Sequence, residues 1–484
     1  MTTNDGPDPR PATSRSPAAR RATKATTSKT AATKATGTKA TGRKTAATKA
    51  TGRKATAAKA TGRRTKAAGS GPGRDFPDRI FAVASPPSVG GTSLFTPGMV
   101  STAETVDAFR SSDDDVMQAV AALDRAGFEV LQATDLMINF AGPAEAFERA
   151  FGARLFTEER PVVKPGSVPD EATFIDNADS AVSGLIDTTG TAFDGLLEGV
   201  ALEEPYYPDA APLPLPPVVD YWHLAVPDDV AVGLRAPRPH RSGVTGRAVR
   251  VAMVDTGFQT HAFFTEHGYR VEPTVLGPGT ADPELDESGH GTGESANIFA
   301  TAPDVTVLPV KTATASGAMV NVTAAFNAAV ALGPDVVTNS WGSSHPTGPL
   351  SAANQALAAA VAGAVADGAV VVFSAGNGGW GFPGQHPDVI SVGGVHQRPD
   401  GTLEASDYTS GFDSAIYPGR RVPDVSGLVG MQPGARYLLL PVPAGCTIDR
   451  GGAGGSHPRG DETAPDDGWA AFSGTSAAAP QVAG

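Results

Sequence analysis

Between residues 249 and 392 the chain alternates short β-branched runs with helical stretches, and this restricts the fold more than any other feature. The runs lie at 249–254, 305–310, 335–339, 369–373 and 389–392, with helical stretches at 320–332 and 352–366 between them. Strands separated by helices run parallel, and a parallel sheet needs helices on both faces. The expected class is therefore α/β. In such sheets ligands sit at the carboxyl ends of the strands, so the chemistry belongs where these runs stop.

Polar residues gather there. The first run ends Val251-Ala-Met-Val-Asp255-Thr-Gly257, and Ser288-Gly-His290-Gly-Thr292 opens a helix. The run at 369 ends Phe373-Ser-Ala-Gly-Asn377-Gly, and Phe472-Ser-Gly-Thr475-Ser476-Ala-Ala-Ala-Pro480 stands near the C-terminus. An acid, an imidazole, an amide and a hydroxyl on one sheet edge are the parts of serine acyl transfer. Taken singly, His290 would suit a helix start, Asn377 a turn, and Asp-Thr-Gly also occurs in aspartic proteases. Residues 451–456 are glycine-rich, but no strand there feeds a helix, so they read as a loop rather than a phosphate cradle.

Taken in order, the four motifs resemble those of the subtilisin-like serine peptidases, which also run Asp, His, Ser along the chain. Trp222-His-Leu, Asn339-Ser-Trp-Gly342, Pro387-Asp-Val-Ile-Ser-Val-Gly393 and Pro423-Asp-Val-Ser426 extend the resemblance over about residues 217–484. It implies that Ser476 attacks a peptide carbonyl, His290 takes its proton and Asp255 orients the imidazole. It implies an oxyanion site from Asn377 and the Ser476 backbone N–H. Ser340, Trp341 and Gly342 would pair with an extended substrate, and Ser374, Ala375 and Gly376 would line the pocket before the cut. Substrates would be proteins or peptides, with no cofactor, and no acidic metal-ligand cluster is evident. The related sedolisins carry Glu in place of the His and Asp in place of the Asn. His290 and Asn377 thus favour a neutral-to-alkaline enzyme, although Glu294 shares the helix face of His290.

Residues 75–200 read as a separate ferredoxin-like α+β module. A strand at 79–84 precedes a helix capped by Asp113, with Val116, Val120 and Leu123 on one face. Two strands at 128–134 and 136–140, a helix from Pro143 with Phe147 and Phe151 buried, and a last strand at 154–157 complete a β-α-β-β-α-β order. Ala146-Phe-Glu-Arg-Ala-Phe-Gly152 resembles the propeptides of sedolisins and subtilases, which implies a zymogen whose module acts as chaperone and inhibitor until a cut within 200–245. An unrelated accessory domain is the other reading. Residues 201–217 are Pro-rich and should be an extended linker. The catalytic domain would then be 218–484. Only eight residues follow Ser476, so the domain is expected to continue past Gly484, and a chain ending there to have little activity.

Charge divides the 484 residues unevenly. The net charge is −13, yet residues 1–74 carry 18 Lys/Arg against Asp5 and Asp8, a local +16 that leaves −29 on the remainder. Lys-Ala-Thr-Gly-Arg recurs at 39–43, 49–53 and 59–63, with no aromatic or large aliphatic residue from Thr2 to Arg74. Such a segment has nothing to bury and should be disordered. Its positive charge suits non-specific binding of nucleic acid; a merely solvated extension is the plainer reading. An inactive protease-fold protein tethered to nucleic acid is the alternative to an enzyme. The single cysteine, Cys446, excludes an internal disulfide framework. No apolar run reaches membrane-span length and no secretory leader is seen, so a cytoplasmic protein is expected. Nothing in the sequence fixes the oligomeric state.

Overall fold

The computed structural model describes residues 76–96, 98–164, 168–208, 222–398, 400–431, 436–455 and 460–484. The basic tail and most of the Pro-rich stretch lie outside the described residues. Those described fall within one compact unit, Ala68–Gly484.

The N-terminal part is built from β1 (Ile80–Ser85), α1 (Asp113–Arg125), β2 (Glu129–Ala133), β3 (Ile138–Gly142) and α2 (Ala144–Phe151). The cap of α1 is Ser112, whose side chain accepts from the Asp115 N–H; Asp113 instead opens the first turn with Asp114 and Asp115. Three carboxylates there complement the helix dipole. Helix α2 stops at Gly152, which takes a left-handed conformation with φ 67°. Phe128, Phe140, Phe147 and Phe151 pack together between the helices and the sheet.

The last strand is not where the sequence places it. Residues 155–157 belong to β4 (Leu155–Lys164), which pairs along its whole length with β5 (Val168–Asn177), apart from that sheet. The fourth strand of the sheet is β7 (Gly199–Leu202), antiparallel to β1, with the two-residue β6 (Leu185–Ile186) beside it. The order β2-β3-β1-β7 preserves the ferredoxin-like arrangement with a hairpin inserted. Gly-Val-Ala-Leu is buried throughout, so it lacks the alternation that marks a half-buried strand. Its two faces have different neighbours. Val200 and Leu202 join the module's core, while Ala201, with Val83 and Met137, joins a core containing Ala356, Leu357 and Ala360 of the larger domain.

Beyond β7 the chain forms β8 (Tyr207–Pro208), so the expected linker is partly a strand. Next come β9 (Trp222–Ala225) and the short helices α3 (Asp228–Gly233) and α4 (Pro237–Arg241). The main sheet contains β10 (Arg250–Asp255), β11 (Arg270–Val271), β12 (Val275–Leu276), β13 (Thr306–Lys311), β14 (Val336–Asn339), β16 (Val370–Ser374), β18 (Ile390–Gln397) and β19 (Leu403–Ala405). The strand Val425–Leu428 also pairs with β18. The path is β11-β13-β10-β14-β16-β18-β19, parallel except where β19 meets β18. Lying off it are β15 (Trp341–Ser344), β17 (Gly381–Phe382) and α5 (Ala262–Glu266). Side-chain alternation sorts the core. Ala252 and Val254 face α7 (Val322–Ala331) and α8 (Ala352–Ala366), whereas Val251 and Met253 face α6 (His290–Thr301) and α10 (Thr475–Ala483). The helix α9 (Thr447–Gly452) lies in the excursion before α10. The α/β expectation holds, and the strands stop at one edge.

Candidate active site

Asp255 is the last residue of β10 and is buried. His290 is the first residue of α6, after Gly289 in a left-handed conformation with φ 87°. A Cβ at Gly289 would stand 2.4 Å from Cys446 Sγ, and one at Gly291 would stand 2.2 Å from the Gly257 carbonyl oxygen. Glycine at 291 lets α6 approach the end of β10 closely, and glycine at 289 leaves room for Cys446. The result is a 2.7 Å contact between His290 Nδ1 and Asp255 Oδ1. An imidazole held this way carries its proton on Nδ1 when neutral, which leaves Nε2 able to accept one.

Asp286, which sequence reasoning missed, holds the loop in place. Its buried carboxylate accepts from the Gly289 N–H at 2.9 Å, the Thr292 N–H at 2.9 Å, and the hydroxyls of Thr292 and Thr256 at 2.8 Å each. Thr256 Oγ1 in turn accepts from the Gly291 N–H at 2.8 Å. The available signal was an acid four residues before a helix-opening histidine whose cap position, Gly289, has no side chain to accept from the first N–H groups.

Burial opposes charge on His290, yet the Asp255 carboxylate, its hydrogen bond, Glu294 and Asp286 outweigh it and raise the imidazole above its ordinary range. Burial, aided by the Asp255 charge, likewise raises Glu294.

Ser476 is the second residue of α10, preceded by Gly474 with φ 119°. Its Oγ donates to the Ser340 carbonyl at 3.1 Å, and Ser340 Oγ donates back to the Ser476 carbonyl at 2.9 Å. His290 Nε2 has no hydrogen-bond partner. Ser476 and His290 are therefore brought to the same sheet edge with no hydrogen bond between them. Asn377 Oδ1 accepts from the Thr475 N–H at 2.9 Å and from its hydroxyl at 3.1 Å. With its oxygen engaged on Thr475, the amide has its NH₂ as the donor end.

The expected substrate residues divide. Ser340 precedes β15 and contacts Ser476, and Gly342 lies in β15 on the wall of a cavity of 820 Å³. Trp341 does not line that cavity: its ring is buried, its Nε1 donates to the Val254 carbonyl at 2.9 Å, and it packs edge-on against Phe373. Gly376 lines the cavity, with φ 99°, whereas Ser374 and Ala375 are buried at the end of β16.

The chain's own β8 occupies this wall. Tyr207 pairs with Gly342 and Pro208 with Trp341, antiparallel, while β17 pairs with β15 on the other side. Tyr206 is buried edge-on against Trp341 at 5.7 Å, and its hydroxyl donates to Asn354 Oδ1. The N-terminal module thus feeds an extended strand along β15.

Residues 246–484 match the profile of the subtilase family. Alkaline elastase YaB of Bacillus sp. (strain YaB) is 29% identical over 266 residues, covering 52% of this chain and 56% of the elastase. Subtilisin Savinase of Lederbergia lenta is 28% identical over 221 residues, covering 43% and 75%. Among solved structures, fervidolysin from Fervidobacterium pennivorans, a keratinolytic enzyme related to subtilisin, gives a TM-score of 0.46 at 17% identity, covering 84% of this chain and 54% of that one. The chain spans about half the length of alkaline elastase YaB. The matched span holds all four motifs in order, and residues 246–484 belong to the subtilase family, the subtilisin-like serine peptidases.

Proposed function

We propose that this protein is a serine endopeptidase that hydrolyses peptide bonds through an acyl-enzyme, and that residues 76–208 hold it as a zymogen. The observation that carries the enzyme reading is the 2.7 Å Asp255–His290 contact at the sheet edge where Ser476 opens α10. In the proposed reaction Ser476 Oγ leaves the Ser340 carbonyl, gives its proton to His290 Nε2 and attacks the substrate carbonyl. Asp255 stabilises the imidazolium, and the proton passes to the leaving amine. Asn377 Nδ2 and the Ser476 N–H donate to the oxyanion. Water then repeats the sequence to release the acid.

The zymogen reading rests on β8, which fills the β15 edge that an extended substrate would use. The experiment is fluorophosphonate labelling of the purified protein before and after cleavage between residues 209 and 221. Labelling that appears on cleavage and is absent in Ser476→Ala supports both readings. No labelling under any condition would leave a protease fold without activity.

For residues 1–74 the proposal is weak, non-specific nucleic-acid binding through the local +16 charge. DNA affinity should fall steeply with salt and vanish when the segment is removed. Equal affinity with and without it would dispose of the idea.

A further inference from the structure

Three buried polar atoms without a hydrogen-bond partner lie together around the base: Asp255 Oδ2, His290 Nε2 and Glu294 Oε1. Glu294 sits one turn after His290 on α6, and its Oε1 is 3.7 Å from His290 Nε2, an ion-pair distance too long for a hydrogen bond. Its side chain is fully buried. The other oxygen, Oε2, accepts from Asn297 Nδ2 at 2.9 Å, and Asn297 Oδ1 accepts from Gln481 Nε2 at 3.2 Å. Gln481 lies on α10, the helix that carries Ser476. The carboxyl is therefore held from behind by a chain that ends on the nucleophile's own helix, and its free oxygen is turned toward the base.

A buried carboxylate is costly unless paired or neutralised. No Lys or Arg makes an ion pair with Glu294 among the described residues, which leaves the imidazole as the cation within reach. Whether the proton sits on oxygen or nitrogen, the Glu294–His290 pair retains one in place of a free base. The charged groups facing the pair from other elements are Asp255 at the end of β10 and Asp286 before α6, both anionic partners of the imidazolium. From the α9 side, Cys446 approaches Gly289 and is held as the neutral thiol by burial.

We propose that Glu294 is a positioning residue, a second carboxylate that keeps a proton on His290 and so delays release of the base to Ser476 until more alkaline conditions. The proposal rests on the endopeptidase reading for its kinetic consequence only. Each step is a proton exchange with solvent. Glu294→Gln keeps the shape and removes the charge.

In the whole chain, the titration of His290 can be followed by NMR on the Nδ1 proton held by Asp255. Its midpoint should fall by about one pH unit or more in Glu294→Gln. On the acid side of the profile this corresponds to about tenfold faster fluorophosphonate labelling at a given pH, with the alkaline plateau unchanged. Glu294→Asp, which keeps the charge at longer reach, should place the midpoint between the two and serves if the Gln variant fails to fold. A midpoint unmoved or raised in Glu294→Gln, or Glu294→Asp titrating like Gln, overturns the proposal. The NMR arm remains decisive if Ser476 proves unreactive, so failure of this inference is distinguishable from failure of the enzyme reading.

Discussion

Asp286 shows how much of the site depends on a residue that performs none of its chemistry. One carboxylate satisfies two backbone N–H groups and two hydroxyls around the start of α6. Hydrogen bonds to a charged group each contribute about 1.5–3 kcal/mol. Asp286→Ala should therefore cost about 3 kcal/mol or more, read as a shift in the urea midpoint, with slower labelling of Ser476 because His290 loses its fixed approach to Asp255. A loss within about 0.5 kcal/mol, the range of ordinary surface substitutions, would mean that the glycines alone set the loop. At this scale the sequence made Asp255, His290, Asn377 and Ser476 readable, because each closes a motif at a strand end or helix start. It did not distinguish Trp341 as a core residue from Trp341 as a wall of the cleft. Both need the same Ser-Trp-Gly strand, and only the third dimension shows its indole donating to the Val254 carbonyl beneath the sheet.

Among the elements, β8 ties the N-terminal part to β15 by backbone pairing. Two residues of backbone pairing are a weak tie, and Tyr206 supplies the anchor, buried against Trp341 and hydrogen-bonded to Asn354. Truncating a buried aromatic side chain costs about 3–5 kcal/mol. Tyr206→Ala should therefore raise the labelling rate of the uncleaved chain by at least about 10²-fold. A rate unchanged from wild type would show that β8 is held by its neighbours rather than by this ring. The same region marks where sequence reading stopped. Long parallel strands and α8 are legible because burial on both faces gives continuous apolar runs. Gly199–Leu202 is as apolar but only four residues long, so nothing local separates it from a loop. Residues 154–157, by contrast, are followed by Glu-Glu-Arg, the composition of an exposed strand pair, and periodicity does not reveal that the partner is Val168–Asn177.

Across the whole molecule, the join between module and catalytic domain contains acidic groups that have been taken out of water. Glu203, just after β7, has neither oxygen hydrogen-bonded. Burial pushes it up to about 7, with Thr323 opposing and the Glu204 charge adding to the rise. Glu204 is raised in the same direction by burial and beside Asp176, with Arg160 opposing, and Tyr206 faces both carboxyls. The undocked carboxyl has the ordinary value of 4.5. Docking therefore keeps its full strength below pH 4.5. It weakens as pH rises from there to about 7, where the docked group also ionises, and levels off beyond. At about 1.4 kcal/mol per unit this amounts to roughly 3 kcal/mol from Glu203 alone. Protection of the β7 amides against hydrogen exchange, corrected for intrinsic rates, should fall across that window, and Glu203→Gln should flatten the fall. Protection that rises with pH would reverse the sign of the argument.

The two-sided sheet of the module carries a further consequence. Val83, Met137 and Ala201 are shielded from water only while they lie against α7 and α8. Once detached, the module would expose that apolar surface to solvent. In the proposed zymogen, release of the module would also uncover Ala356, Leu357 and Ala360, an apolar patch open to a new partner, a second copy or a substrate.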